Sequence, residues 1–339
     1  MSKPTVFFGP FIGEFGWEFH SWSGWVNFVS TEYFKGFNRI AASVPGRQVL
    51  YPEVDTVLFH PAWWNELPII PRAYFTDAWG NGDGGDAVLG HRLLEEYRRQ
   101  LPDGTTVFCP FVLNRFEPQN LVFDAFHPIP VSKQRLRPLR ATPAVADRLP
   151  PSVRSGSQPV VSLFPRRRPI RPLYNWSEDR YRLLVDRLQR AGFLVAVLGE
   201  PGGCHFVDGV PEGCVDLIHV DPMLRTELHV ACLERSAFAL GAMSGAVPFA
   251  LAVGCPTLTW GEPMAHFRCY ETNFFRTRTY YFPRTDPSAD EVWDEAKLFA
   301  ANRSRRQWLS HAAFQLINRG PVGTRVYWRL WPFTVLAKP

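Results

Sequence analysis

Short apolar runs alternate with amphipathic segments along the second half of this chain. The runs at 160–164, 193–198 and 237–241 predict strands, because four to six mostly apolar residues bounded by turn residues are typical of buried strands. Between them, residues 178–191 and 224–235 have the periodicity of amphipathic helices. This alternation predicts a doubly wound α/β domain with a parallel sheet.

The first half shows a weaker form of the same pattern. Residues 5–8 predict a short buried strand, and residues 18–29 predict a helix with one apolar face. Further strand-like runs lie at 39–43, 48–51, 56–59 and 105–112, and further helices are predicted at 87–101, 289–301 and 305–318. We place a domain boundary in the proline-rich stretch 127–159, which predicts domains of residues 1–150 and 151–339. The C-terminal helix is expected to be able to pack back on the first domain.

Composition indicates an ordinary soluble protein. Of the 339 residues, 46% are hydrophobic and 20% are charged, which suits a large core divided between two domains. No apolar stretch is long enough to span a membrane, and the N-terminus has no apolar signal region, so we expect a cytoplasmic protein. The six cysteines form no C-x-x-C pair, which predicts reduced core cysteines and no zinc site.

Positive charge is concentrated in the second half. Residues 1–150 hold 14 Lys and Arg against 15 Asp and Glu, whereas the remainder holds 23 against 17. This excess suits an anionic ligand but is too mild to indicate a nucleic-acid-binding protein. The first quarter also holds six tryptophans, for which core filling is favoured, although exposed rings would be able to stack on sugars or bases. They are Trp17, Trp22, Trp25, Trp63, Trp64 and Trp79.

A turn of small residues, Ser244-Gly245-Ala246, follows the run at 237–241 and precedes a short helical segment. Such a turn lets a ligand approach the backbone, and the free N–H groups of a helix start form a natural phosphate site. The alternative is that Ser244 only caps the helix and that the glycines serve tight packing. Taken alone, this turn favours the alternative, because such turns are common.

A basic loop, Arg166–Arg168 with Arg171, follows the strand at 160–164. Ligands of open α/β sheets bind outside the carboxyl ends of strands, so this loop and the Ser244 turn are expected to face one crevice. Together they would clamp a diphosphate and stabilise the negative charge that develops on a nucleoside-diphosphate leaving group. The alternative is a solvated surface patch.

Two further acids close strands that border the predicted crevice. Glu200 follows the run at 193–198, and Glu262 follows Trp260. A carboxylate there would bind ribose hydroxyls, and the indole would lie against a base. Each residue could equally be an ordinary loop residue.

The first strand runs into a glycine-rich acidic turn, Gly13-Glu14-Phe15-Gly16-Trp17-Glu18. Glu18 has a structural explanation, because a carboxylate near a helix N-terminus is favoured by the helix dipole. Glu14 has no such explanation, and it lies in the kind of strand-to-helix loop where ligands bind.

These motifs resemble those of a known class. The segments Phe164-Pro-Arg-Arg-Arg, Val-Leu-Gly-Glu200 and Met-Ser-Gly-Ala246 with its run-on to Trp260 resemble the GT-B glycosyltransferases, most closely the ADP-heptose:lipopolysaccharide heptosyltransferase-like (family 9) superfamily. The turn at 13–18 resembles that superfamily's first strand-to-helix turn, where a Gly-Asp pair carries the catalytic base. The resemblance implies two Rossmann-like doubly wound domains facing across a cleft.

The resemblance also implies inverting transfer from a nucleotide-sugar donor to a saccharide or other hydroxyl acceptor, without a metal or another cofactor. The residue patterns and the resemblance together give the candidate residues, with His20 included because of its neighbours: catalytic Glu14, Glu18 and His20; donor-binding Arg166, Arg168, Arg171, Asn175, Glu200, Ser244, Gly245, Ala246, Trp260 and Glu262; and acceptor-binding Gly13, Phe15 and Trp17. The acid pair replaces a single Asp, which leaves open whether Glu14 or Glu18 is the base. The Pro-Arg-Arg-Arg turn replaces a Pro-Gly-Ser type, and the aromatic first domain means that a heptose or lipid A acceptor does not carry over.

Two alternatives remain at this point. A glycosyltransferase acting on a modified nucleobase or on DNA would use the aromatic first domain to stack a flipped base. A non-catalytic α/β protein that binds a nucleotide or sugar would not need the acidic turn. A dinucleotide-dependent oxidoreductase is disfavoured, because no G-x-G-x-x-G follows any strand.

Overall fold

The computed structural model contains two parallel sheets, one in each half of the chain. It describes residues 3–13, 15–67, 85–109, 115–116, 121–122, 133–169, 172–262 and 273–301. The predicted helix at 305–318, and with it the packing of the C-terminal helix on the first domain, lies outside these residues. The two sheets fall on either side of the predicted domain boundary.

The first sheet has four parallel strands in the order β3-β2-β1-β4. Its strands are β1 (Thr5–Phe8), β2 (Asn38–Ser43), β3 (Thr56–Phe59) and β4 (Thr106–Phe108). The helices of this half are α1 (Phe15–Trp17), a π-helical turn (Glu18–Trp22), α2 (Ser23–Glu32), α3 (Ala62–Asn65) and α4 (Gly85–Arg98). Two short strands, β5 (Arg115–Phe116) and β6 (Leu121–Val122), pair antiparallel, and α5 (Pro143–Ala146) and α6 (Pro151–Arg154) lead to the second half.

The second sheet has six parallel strands in the order β12-β11-β10-β7-β8-β9. The strands are β7 (Val160–Phe164), β8 (Leu194–Val197), β9 (Val215–Asp216), β10 (Ser236–Ala242), β11 (Thr257–Trp260) and β12 (Thr279–Phe282). The helices are α7 (Glu178–Arg190), α8 (Pro222–Leu233), α9 (Ala246–Val253) and α10 (Ala289–Ala300). The strand order reverses between β7 and β10, which is the topological switch point where ligands of such sheets bind.

Most predicted elements are confirmed, and three details are corrected. The predicted strand at 48–51 is a 3₁₀ turn, Gln48–Leu50, because its flanking residues bend inward to bind a buried carboxylate. The helix predicted at 18–29 begins at Phe15 and includes the π-helical turn. The edge strand β12 was not predicted, and its side chains alternate between buried and partly buried positions.

The aromatic first quarter mainly fills the core. Trp22, Trp25 and Trp64 are each at most 4% exposed, which confirms core filling for these three rings. The five described cysteines are free thiols, as predicted, and Cys269 lies outside the described residues. In the described part of the chain, no helix is both long enough and apolar enough to cross a membrane.

The two halves meet backbone to backbone near the first helix. A Cβ placed on Gly245, at the start of α9, would lie 2.9 Å from the Cα and 3.0 Å from the N of Gly16. The neighbouring rings of Phe15 and Phe249 pack edge to face with centroids 5.0 Å apart. The segment between the sheets joins the same junction, since the Leu139 amide donates to the Ala252 carbonyl at 3.1 Å.

Gly245→Ala should therefore push the two halves apart. Gly245 has helical dihedrals (φ −60°, ψ −17°), so alanine meets no backbone strain there and its effect is purely steric. We expect a loss of about 1–3 kcal/mol in the free energy of unfolding, as for other overpacked sites, measured by urea denaturation. Gly36→Ala is the matched control, because its added methyl would meet nothing within 4 Å. Equal stability of both variants would contradict the close contact.

Candidate active site between the two sheets

A cleft of about 360 Å³ lies at the switch point and is lined by residues of both halves. It receives the ends of β7, β8 and β10 from one side and the loop after β2 from the other. The structure brings together six of the residues predicted from the sequence: Phe15, Arg166, Arg168, Glu200, Ser244 and Ala246. The cleft therefore lies at the carboxyl ends of the strands, where the sequence analysis placed the crevice.

Asn175 organises the basic loop that follows β7. Its side-chain oxygen accepts from the Arg168 amide at 2.9 Å and from the Arg166 guanidinium, and its NH₂ group donates to the Arg168 carbonyl at 2.7 Å. The Arg166 side chain is only 7% exposed and lies over the Tyr174 ring at 5.7 Å. Asn175 therefore holds two arginines at the cleft, and its own contact with a donor stays a prediction.

The turn after β10 offers fewer helix amides than the sequence suggested. The Ala246 amide donates to Ser244 Oγ at 3.3 Å, the Val247 amide donates to the Ser244 carbonyl at 3.2 Å, and Pro248 has no N–H. The amides of Ser244 and Gly245 themselves form no hydrogen bond within the described part of the chain. Two consecutive amides before the helix, not the helix amides proper, are therefore available to an anion.

Glu200 is the acidic residue among the described residues that line the cleft. It follows β8, and its carboxylate lies 3.9 Å from Arg47 Nη2 across the cleft. Its backbone carbonyl accepts from the Gly203 amide at 2.9 Å and from Cys204 Sγ at 3.1 Å, which fixes the loop that carries it. A single carboxylate on a fixed loop, among four arginines, suits a hydroxyl-bearing part of an anionic ligand.

Glu18 is enclosed by protein. Its side chain is 0% exposed, and its carboxylate accepts from Ser43 Oγ, from an Arg47 guanidinium nitrogen and from the Tyr51 hydroxyl at 2.6 Å. Burial and the charge of Glu18 raise the pKa of Tyr51 well above its ordinary value, so this hydroxyl stays a neutral donor. In this arrangement Glu18 is closed to a substrate hydroxyl, and its hydrogen bonds join the first helical turns to the loop after β2.

Trp260 and Glu262 do not line the cleft. Trp260 is 1% exposed and packs in the core against Trp176, with ring centroids 4.9 Å apart, so its indole is not presented to a nucleotide base. Glu262 accepts from the Tyr174 hydroxyl at 2.7 Å and so contacts the basic loop from behind. Their predicted ligand contacts are replaced by structural ones.

For four other candidates the structure describes no side chain, so their positions relative to the cleft stay predictions. Glu14 and Arg171 lie outside the described residues, and the side chains of Trp17 and His20 are likewise not described. Gly13 is buried with φ +144°, a conformation that favours glycine, and so it shapes the turn after β1.

Two arginines and a histidine that were not predicted from the sequence also line the cleft: Arg47, Arg225 and His229. Arg225 donates to the carbonyls of Ile218 and Val220 at 3.1 and 3.2 Å. Burial lowers the pKa of His229 to about 4, so its ring is neutral near pH 7. Arg47 follows β2, and the strand-end argument applied to that strand would have found it. No group of three or more potential metal ligands occurs among the described residues.

The fold is shared with solved glycosyltransferase structures. The glycosyl transferase family 9 protein of Veillonella parvula matches 89% of this chain and 99% of its own, with a TM-score of 0.55 and 10% identity. The Escherichia coli ADP-heptose LPS heptosyltransferase II matches 88% of this chain and 99% of its own, with a TM-score of 0.51 and 13% identity. No protein-family model and no curated protein matches the sequence. The likeness confirms the predicted α/β GT-B fold.

Proposed function

We propose that this protein is a glycosyltransferase that moves a sugar from a nucleoside-diphosphate sugar to an acceptor hydroxyl. The observation that carries the proposal is the cleft at the switch point, where Arg166, Arg168, Arg225 and Arg47 surround a single carboxylate. A dense positive site of this size suits a diphosphate better than a neutral ligand. Of the two structural neighbours, one is a family 9 glycosyl transferase and the other is an ADP-heptose LPS heptosyltransferase.

In the proposed reaction the diphosphate is the leaving group. Arg166 and Arg168 bind its oxygens, and the amides of Ser244 and Gly245, which pair with no described residue, donate to it. These donors are fixed before the reaction by Asn175 and by the strand end, so they stabilise the developing charge without reorganising. Because arginines and amides supply the positive charge, we propose that transfer is metal-independent. Glu200 would accept hydrogen bonds from ribose hydroxyls.

The acceptor hydroxyl needs a base, and we propose Glu14. Glu18 is occupied by three hydrogen bonds and is shielded from solvent. Phe15, the neighbour of Glu14 in sequence, lines the cleft. Removal of the hydroxyl proton by Glu14, with attack on the anomeric carbon opposite the leaving diphosphate, would invert the configuration.

An assay of diphosphate release tests catalysis against simple binding. The protein would be incubated with a panel of nucleotide sugars and hydroxyl acceptors, with EDTA present, while release of nucleoside diphosphate is followed. Acceptor-dependent release supports the transferase. Tight binding of a nucleotide sugar without release under any acceptor would favour a non-catalytic binding protein. Trp22, Trp25 and Trp64 are buried, so these three rings are not available to stack a flipped base of a DNA acceptor.

A further inference from the structure

The N-terminal wall of the cleft carries an arginine in an unusual state. Arg47 is 5% exposed, yet its only side-chain hydrogen bond within the described residues joins Nη1 to Glu18 Oε2. A guanidinium has five N–H donors, so most of those on Arg47 are unused by the described protein. Arg47 lines the cleft, so the donors that no described residue uses are within reach of a ligand bound there.

The surroundings of Arg47 direct it at the cleft. Glu18 holds one edge of the guanidinium, and the Phe15 ring lies 5.2 Å from its Cζ. Nη2 points to Glu200 across the cleft, but the 3.9 Å separation is too long for a hydrogen bond. Although burial lowers the pKa of Arg47, the carboxylates of Glu18 and Glu200 raise it overall, so the group stays charged.

The loop that carries Arg47 is fixed against the opposite domain. A Cβ on Gly46 would collide with the Pro222 carbonyl, and Gln48 donates to the Met223 carbonyl at 3.4 Å. The charge of Arg47 is therefore held at a defined place relative to the arginines after β7. A cation fixed in this way loses little conformational entropy when an anion binds.

We propose that Arg47 binds the diphosphate from the N-terminal domain, and that Glu18 is the residue that positions it. This inference rests on the proposed function. The diphosphate would then be held by both domains, with Arg166 and Arg168 on one side and Arg47 on the other. Glu18, four residues after the proposed base in the sequence, would link the donor site to the acidic turn.

The test is a pair of charge-neutral substitutions. Arg47→Gln alone leaves Glu18 buried without its cation and risks unfolding, so the test variant is the double Glu18→Gln/Arg47→Gln, in which two amides can pair. Binding is measured by calorimetry for ADP, UDP, GDP, CDP and TDP and for the matching nucleosides. Arg39→Gln is the control, because Arg39 is a cation of the same domain that pairs with Asp55 at the surface.

We expect the double variant to bind the preferred diphosphate about tenfold or more weakly, with nucleoside affinity unchanged. A structural defect would weaken both ligands together, and Arg39→Gln should change neither. Equal diphosphate affinity of the double variant and the wild type, or a parallel loss for the nucleoside, would overturn the role of Arg47 alone. Failure of the wild-type protein to bind any of the five diphosphates would overturn the proposed function itself.

Discussion

Glu14→Gln should lower kcat by about 10²- to 10⁴-fold and leave the affinity for nucleoside diphosphate nearly unchanged. Glutamine keeps the size and polarity of the side chain but cannot take a proton from the acceptor hydroxyl. The proposed diphosphate contacts come from Arg47 and the basic loop, so donor binding does not need the carboxylate. Steady-state kinetics with the nucleotide sugar that is turned over, together with calorimetry of the diphosphate, measure both quantities.

Asp is the matched variant for this position. Glu14→Asp keeps the carboxylate and shortens its reach by one methylene, so it should retain more activity than Glu14→Gln. A near wild-type kcat for Glu14→Gln would contradict the assignment. If Glu18→Gln were in addition folded and inactive with intact diphosphate binding, the base would be Glu18.

Glu18→Gln should instead destabilise the protein by about 3–5 kcal/mol, because breaking a buried ion pair on one side leaves an uncompensated charge. The Glu18 carboxylate is 0% exposed, so solvent does not reach the side of Arg47 that pairs with it. Ser43 and Tyr51 would lose a charged acceptor at the same time. Urea denaturation followed by circular dichroism measures the loss.

A second substitution tests whether the stability lost in Glu18→Gln comes from the unpaired charge of Arg47. The double variant Glu18→Gln/Arg47→Gln should recover a large part of the lost stability, since it removes the unpaired charge. Asp55→Asn, which breaks the exposed Arg39–Asp55 pair, is the control and should cost about 1 kcal/mol or less. A Glu18→Gln protein as stable as wild type would contradict the view that Glu18 is structural.

Most of what the sequence could predict about the site follows from one rule, that ligands of open α/β sheets bind outside the carboxyl ends of the strands. Arg166 and Ser244 lie far apart in the chain, yet each follows a central strand of one parallel sheet. Because the carboxyl ends of β7 and β10 flank the switch point, the two residues had to meet. The local chemistry of capping was also predictable: Ser177 accepts from the Arg180 amide at the start of α7, as expected.

The orientation of individual side chains was not predictable in the same way. Trp260 ends a strand at the correct edge, but both faces of a parallel sheet are covered by apolar layers, so hydrophobicity did not tell which way it points. Glu18 was grouped with Glu14 because the two are four residues apart. Its partners Ser43 and Tyr51 lie 25 and 33 residues further along the chain, and no local sequence pattern predicts these contacts.

Arg47 was missed for a related reason. The run that follows it, Gln48-Val-Leu-Tyr51, has the composition of a strand. If that run were a strand, Arg47 would lie in an ordinary loop between two strands. The segment instead forms a 3₁₀ turn, because the hydrogen bond from the Tyr51 hydroxyl to the buried Glu18 carboxylate outweighs the local preference for a strand.

The central claim is that the cleft binds a nucleoside diphosphate, and a thermal-shift measurement with ADP, UDP, GDP, CDP and TDP tests it most directly. A diphosphate at about 100 times its Kd adds about 2.7 kcal/mol to the folded state, which should raise the Tm by several degrees. Arg168→Ala should weaken this shift, whereas Arg167→Ala, which removes an exposed neighbour outside the cleft, should leave it intact. An unchanged Tm with all five diphosphates, or an equal shift in both variants, would contradict the account.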